Sequence, residues 1–202
     1  MNILILGATG TFGTALTKYL LENSNHNLTV FSRHADSVYK QSDRIRVFNG
    51  DASNMNSLKN AVKGQHVIYC AISGDVLPTV AQNLVTIMPD ANVSRLLFMG
   101  AVGIYNEIPA DLDGDDNLDN EPAQIPNRKA VDIIEFSDLN YTILRPGYLK
   151  DGSEDDYVLT EKGEPAKGYI TTIPSLTKLS LKLINDDSLF SRKSISITRN
   201  MI

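Results

Sequence analysis

Along the first 145 or so residues, short apolar runs alternate with stretches in which apolar positions recur every three or four residues. The runs at 2–6, 28–31, 45–48, 66–71, 96–99 and 141–144 are mostly apolar rather than alternating with polar residues. That pattern suits strands buried on both faces, as in a parallel sheet covered by helices. Between the first two runs, 11–22 reads as a helix with Leu16, Leu20 and Leu21 on its inward stripe. Segments 57–63 and 76–88 read as further helices. Another runs from about 127 to 136, with Val131, Ile134 and Glu135 at helical spacing. Right-handed crossovers then predict a doubly wound α/β sheet, a Rossmann fold, in the strand order 3-2-1-4-5-6.

After Pro146 the pattern changes. Residues 151–156 form a polar loop, 157–160 a short strand, 175–184 a closing helix and 194–198 a last strand. Neither an internal repeat nor an interdomain linker sets this tail apart. One dinucleotide-binding domain over residues 1–202 is expected, with the tail as a small C-terminal cap.

Composition narrows the partners. Apolar residues are 42% and charged residues 21% of the 202, which is ordinary for a soluble chain. The net charge is −5 and the 19 Lys and Arg are scattered, so no nucleic-acid surface is expected. The apolar start is broken by Gly7 and lacks a basic flank, which argues against a membrane span and a signal peptide. With Cys70 as the single cysteine, no intrachain disulfide can form, and a reducing cytoplasmic setting is the expectation. The number of copies that associate is not legible here.

The chemistry enters at Gly7-Ala8-Thr9-Gly10-Thr11-Phe12-Gly13, directly after a strand and before a helix. Gly7 permits a tight turn, Gly10 a close approach of backbone to a pyrophosphate, and Gly13 close packing of helix on sheet. Backbone N–H groups and the positive helix end then face the phosphates. About twenty residues on, the second strand ends in Ser32-Arg33, where an acidic residue would bind the ribose hydroxyls of NAD. Arg33 instead offers a cation to the 2′-phosphate of NADP, with Ser32 a neutral donor beside it. A solvated surface arginine is the alternative. NADP(H) is the expected cofactor.

These segments, with Gly50-Asp51-Ala52, Gly103-Ile104-Tyr105 and Tyr141 through Gly147, resemble the atypical short-chain dehydrogenase/reductases. The branch they resemble holds the small NAD(P)H-binding, NmrA-like proteins, including the flavin reductase (biliverdin reductase B) type. Tyr157-Val158-Leu159-Thr160 and Gly163-Glu164-Pro165 are similar to that branch as well. The resemblance implies that Thr9, Gly10, Thr11, Phe12 and Gly13 meet the diphosphate, and Ser32 and Arg33 the 2′-phosphate. It places Asp51 and Ala52 by the adenine, and Ala71, Ile72 and Ser73 by the nicotinamide ribose. Pro146 and Gly147 would lie near the nicotinamide.

Catalysis departs from the wider family, whose dehydrogenases use a Tyr-x-x-x-Lys pair in which lysine tunes the tyrosine as a proton donor. Lys129 stands at a helix start, but four residues earlier is Ile125. After the fifth strand, where a Ser or Thr often polarises a carbonyl, the chain reads Gly100-Ala101-Val102-Gly103. Alcohol dehydrogenation is therefore not expected. A flavin or quinone is an electron-poor ring that can take its proton from solvent, so stacking it on the nicotinamide suffices. Lys129 reads either as a hold on the ribose hydroxyls or as a solvated helix lysine. Tyr105 reads either as part of the acceptor site or as a core tyrosine.

Other signals carry less. Residues 107–121 hold Asp111, Asp113, Asp115, Asp116 and Asp119 with no Lys or Arg. The spacing hints at a calcium loop, but Asp116 and Pro122 occupy the positions where an EF-hand needs Gly and Glu. A solvated loop overhanging the acceptor site is expected, and it would repel anions. His26, His34 and His66 lack metal-ligand spacing, and Cys70 reads as a buried hydrophobe. Two functions follow: an NADPH-dependent reductase of a small acceptor such as a flavin or quinone, or a non-catalytic NADP(H) sensor acting through a protein partner.

Overall fold

The period-2 alternation of a strand sorts even an all-apolar run onto two sides. In β1 (Asn2–Leu6) the side chains of Leu4 and Leu6 enter one core and those of Ile3 and Ile5 another, all fully buried. A computed structural model, which describes residues 1–201, places β1 inside an eight-stranded sheet flanked by both cores.

Its neighbours are β2 (Asn27–Ser32), β3 (Ile45–Asn49), β4 (Val67–Cys70), β5 (Arg95–Met99) and β6 (Tyr141–Pro146). Two later strands, β8 (Val158–Glu161) and β10 (Lys193–Thr198), complete the order β3-β2-β1-β4-β5-β6-β10-β8. All pairs are parallel except β10 with β8. The expected order of the first six strands is the observed one.

Three helices cover one face: α2 (Met55–Val62), α3 (Leu77–Asp90) and α4 (Ile125–Glu135). Two cover the other: α1 (Thr11–Asn23) and α5 (Ile173–Asn185). In α1, Leu16 and Leu20 are fully buried while Leu21 is half-buried at the stripe's margin. Arg44 closes the end of α1, donating to the carbonyls of Leu21 (2.9 Å) and Ser24 (2.7 Å), which would otherwise lack partners. Two helices start two residues earlier than the periodicity suggests. Asn54 caps α2 by accepting from the Ser57 N–H, and Pro126 sits in the first turn of α4.

The tail does more than cap. Its strand β10 lies parallel to β6, β8 pairs antiparallel with β10, and α5 packs against α1. The capping element is a separate parallel pair, β7 (Tyr148–Lys150) with β9 (Ile170–Thr172). Neither three-residue strand has room for a periodic signal. Cys70 is buried at the end of β4, and burial pushes its thiol up to about 12, as befits a core position.

The acidic segment 107–121 is also more ordered than a solvated loop. Its exposed carboxylates do face water, but the backbone turns through short 3₁₀ helices at Ala110–Leu112 and Gly114–Asp116. Asn117 bonds both backbone groups of Ile108 (3.0 and 2.8 Å), and the Leu118 N–H donates to Gly103 O at 2.9 Å. Tyr169 donates its phenolic hydrogen to Asp116. Among the described residues no three His, Cys, Asp or Glu side chains gather as a metal set. No helix among them is long and apolar enough to cross a membrane.

Candidate cofactor cleft and acceptor rim

The turn after β1 is built for a phosphate. Gly7 has φ +80, which glycine adopts without strain, and its N–H donates to Phe31 O of β2 at 3.0 Å. A Cβ on Gly13 would stand 2.2 Å from Gly7 O, so only glycine lets α1 begin this close to the turn. The carbonyl of Ala8 accepts from Tyr39 Oη (2.7 Å) and Thr14 Oγ1 (3.2 Å), pinning the loop from two sides. Thr11, Phe12 and Gly13 open α1, where backbone N–H groups have no intrahelical partner and the helix dipole is positive.

A cleft of about 460 Å³ opens over the ends of β1, β2 and β4. Gly7, Thr9 and Gly10 line one side of it, and Ser32 and Arg33 close the end beyond β2. Asp51 and Ala52 border it after β3, and Ala71, Ile72 and Ser73 after β4. Ten residues predicted from scattered segments therefore meet in one cavity. Thr11 is exposed at the helix start. Phe12 is 4% exposed and its ring centroid lies 5.7 Å from that of Tyr69, so it can face a phosphate through its backbone alone. Pro146, buried in the sheet, and half-buried Gly147 stand at the end of β6, outside the lining of this cleft.

Two features mark the cleft as fit for a phosphorylated dinucleotide. The hydroxyl of Ser32 is buried there without a hydrogen-bond partner among the described residues. A buried unsatisfied hydroxyl is costly, and a phosphate oxygen beside Arg33 would satisfy it. At Gly10 a Cβ would point into open cleft, 3.4 Å from its nearest neighbour, Gly7 O. A pyrophosphate can approach the backbone there.

Asp51 accepts from both the N–H and the hydroxyl of Ser53, at 2.8 and 2.7 Å. Those bonds, the hydroxyl first, hold its carboxyl below the usual range. Asn83 of α3 fixes the same turn by donating to Ala52 O and Ser53 O. The sequence reading missed Asn83, along with His34, Ser37 and Asp75 of the lining. A polar residue at a helix's buried positions is a usable signal for Asn83, whereas Asp75 has none.

The catalytic candidates fare differently. Lys129 is exposed on α4 and lines neither this cleft nor the cavity beside Tyr105. Tyr105 donates its phenolic hydrogen to Glu135 Oε1 at 2.8 Å, and its ring lies against Arg128, Arg145 and Lys162. Burial pushes the phenol well above its ordinary range, and the Glu135 carboxylate adds to that. Tyr105 is thus committed to a packed polar cluster while its edge lines a cavity with Glu107 and Lys162. Beneath it the fully buried Arg145 pairs with Glu107, an acid that sequence reasoning did not single out. With Ile125 at the first position of α4, no phenol stands where the Tyr-x-x-x-Lys pair would put one.

The comparisons agree with this geometry. A Rossmann-fold NAD(P)-binding family protein from Shigella flexneri is 30% identical, with a TM-score of 0.84 over 99% of this chain and 94% of that one. A wide-type short-chain dehydrogenase/reductase from Veillonella parvula, solved in complex with NADP, is 26% identical with a TM-score of 0.86, covering 99% and 95%. The Escherichia coli O157:H7 protein ChuY, described as an anaerobillin reductase, shares the fold at 21% identity, with a TM-score of 0.83 over 100% and 98%. A search of curated proteins finds no match. The family model described as NAD(P)H-binding matches residues 7–187, from the first glycine of the turn to the end of the last helix and just beyond. The chain belongs to that NAD(P)H-binding family.

Proposed function

We propose that the protein is an NADPH-dependent reductase of a small planar acceptor such as a flavin or quinone. The observation that carries the choice of NADPH is the partnerless, buried Ser32 hydroxyl beside Arg33 at the adenosine end of the cleft. The solved relative that holds NADP supports the same choice. When bound, the reduced dinucleotide supplies a hydride, and the acceptor takes its remaining proton from solvent. The chain's part is to hold the diphosphate on the turn 7–13, to read the 2′-phosphate with Ser32 and Arg33, and to exclude bulk water along the β4 end. The tethered phenol of Tyr105 and the placement of Lys129 support an acceptor that needs no protein acid. Both act at most as positioning groups.

Arg33→Ala is expected to weaken NADPH at least about ten-fold and leave NADH nearly unchanged, because only NADPH carries the 2′-phosphate. Titration calorimetry with both cofactors reads the difference, and equal losses would remove Arg33 from the phosphate site. For the activity, the test is anaerobic mixing with NADPH and a panel of flavins, quinones and aldehydes, followed by absorbance of the reduced nicotinamide. Oxidation with flavins or quinones but not aldehydes is the expected result. Tight NADPH binding with no oxidation would replace the reductase by a redox sensor that signals to a protein partner.

A further inference from the structure

The cofactor cleft occupies the ends of β1, β2 and β4, so the next strand ends along the sheet, β5 and β6, border the acceptor. We propose that Tyr148 and Lys150, on the strand that leaves β6, form a subsite for a planar ring bearing an anionic substituent. The inference rests on the reductase reading and names its substrate class.

Tyr148 is 57% exposed. The other strongly exposed aromatic, Phe136, precedes β6 and so stands at the opposite edge of the sheet. An aromatic ring more than half exposed at the ligand-binding edge offers a surface to a flat partner. It is also held in place. The Tyr148 N–H donates to Tyr169 O at 2.7 Å, and the Gly147 N–H donates to Thr171 Oγ1 at 2.8 Å. A Cβ on Gly147 would lie 1.9 Å from Tyr169 O, so the two strands touch backbone to backbone. The ring therefore projects from a paired ribbon, not from a free loop.

Lys150 lies two residues on, on the same side of the strand, with Nζ 4.8 Å from the Tyr148 ring centroid. Lys162, Lys178 and Lys193 each pair with a carboxylate, but among the described residues Lys150 does not. Its ammonium lies over the Tyr148 ring without a carboxylate to neutralise it. Nearby, Tyr169 donates its phenolic hydrogen to Asp116 of the acidic segment. Lys150 and that segment sort the rim by charge, so an anionic substituent is drawn to the lysine and turned away from the aspartates. The occupant stacks on Tyr148 and points its negative group at Lys150.

Flavin mononucleotide and riboflavin share the ring and differ in the phosphate, which makes them the probes. In each turnover NADPH gives two electrons and one proton as hydride, water supplies the second proton, and the products are NADP⁺ and reduced flavin. Tyr148→Ala is expected to raise KM for both flavins about five- to ten-fold, with Tyr148→Phe near wild type, because the ring and not the hydroxyl carries the contact. Lys150→Ala is expected to raise KM about two- to five-fold for flavin mononucleotide alone. The melting shift with NADPH stays unchanged in all three variants. Wild-type kinetics in Tyr148→Ala, or an equal effect of Lys150→Ala on both flavins, would overturn the subsite. If the wild type turns over neither flavin, the reductase reading fails separately. Fluorescence quenching of flavin mononucleotide on the NADP⁺-loaded protein then decides the subsite: a loss confined to Tyr148→Ala and Lys150→Ala supports it, and no difference overturns it.

Discussion

Gly10→Val is expected to abolish stabilisation by NADPH while leaving the ligand-free protein close to its original melting temperature. At ligand a hundred-fold above Kd, linkage stabilises the wild type by about 2.7 kcal/mol. For a chain of this size that corresponds to a rise of roughly 5–10 °C. The reason for a clean separation is geometric. Gly10 has φ −73 and ψ 168, an extended conformation that valine adopts readily, and the nearest atom to a new Cβ is Gly7 O at 3.4 Å. The valine methyl groups then occupy the cleft where the pyrophosphate would approach. Scanning calorimetry of both proteins with and without millimolar NADPH checks this. A full shift in the variant would place the dinucleotide elsewhere.

Glu107→Ala should do the reverse: lower the melting temperature strongly and leave the NADPH shift intact. Arg145 is wholly buried at the end of β6, its partner Glu107 is 7% exposed, and no other carboxylate among the described residues pairs with it. Two of the Arg145 nitrogens, Nε and Nη2, already lack hydrogen-bond partners, with the Tyr105 ring 5.0 Å away as their neighbour. Removing Glu107 leaves a buried cation uncompensated, which costs about 3–5 kcal/mol. Glu107 also accepts from the Gly163 N–H at 2.5 Å, so its loss frees the loop after β8 as well. The double variant Glu107→Leu with Arg145→Met should recover much of the loss, because an apolar pair of similar volume carries no buried charge. If Glu107→Ala melts like the wild type, the pair is open to water in solution.

Opposite outcomes are expected because the two sites stand on different parts of the sheet. Gly10 belongs to the cleft over β1, β2 and β4, whereas Glu107 and Arg145 tie together the connection after β5, the end of β6 and the turn after β8. Measuring both variants with and without cofactor separates a binding defect from a folding defect.

The sequence alone determined the layers and the phosphate turn. Continuous apolar runs such as 3–6 cannot be half-exposed, so they require a sheet covered on both faces, and the strand order follows from crossover handedness. The glycines at 7, 10 and 13 are legible because backbone geometry is a local property, and Ser32-Arg33 because strand length places it at the cleft. Side-chain direction was not legible. Phe12 sits within the motif yet points into the core, since the 100° step of α1 turns it toward Tyr69. Only the tertiary structure decided the edge of the sheet: the runs that become β10 and β8 read as strands but do not announce their partners, and β7 and β9 exist only because they pair with each other. It also decided the fate of Tyr105, whose phenol is bound by Glu135, thirty residues on. Local pattern encodes burial and backbone conformation, but which polar groups meet depends on distant segments brought together by packing. The proposed acceptor rim consists almost entirely of such meetings.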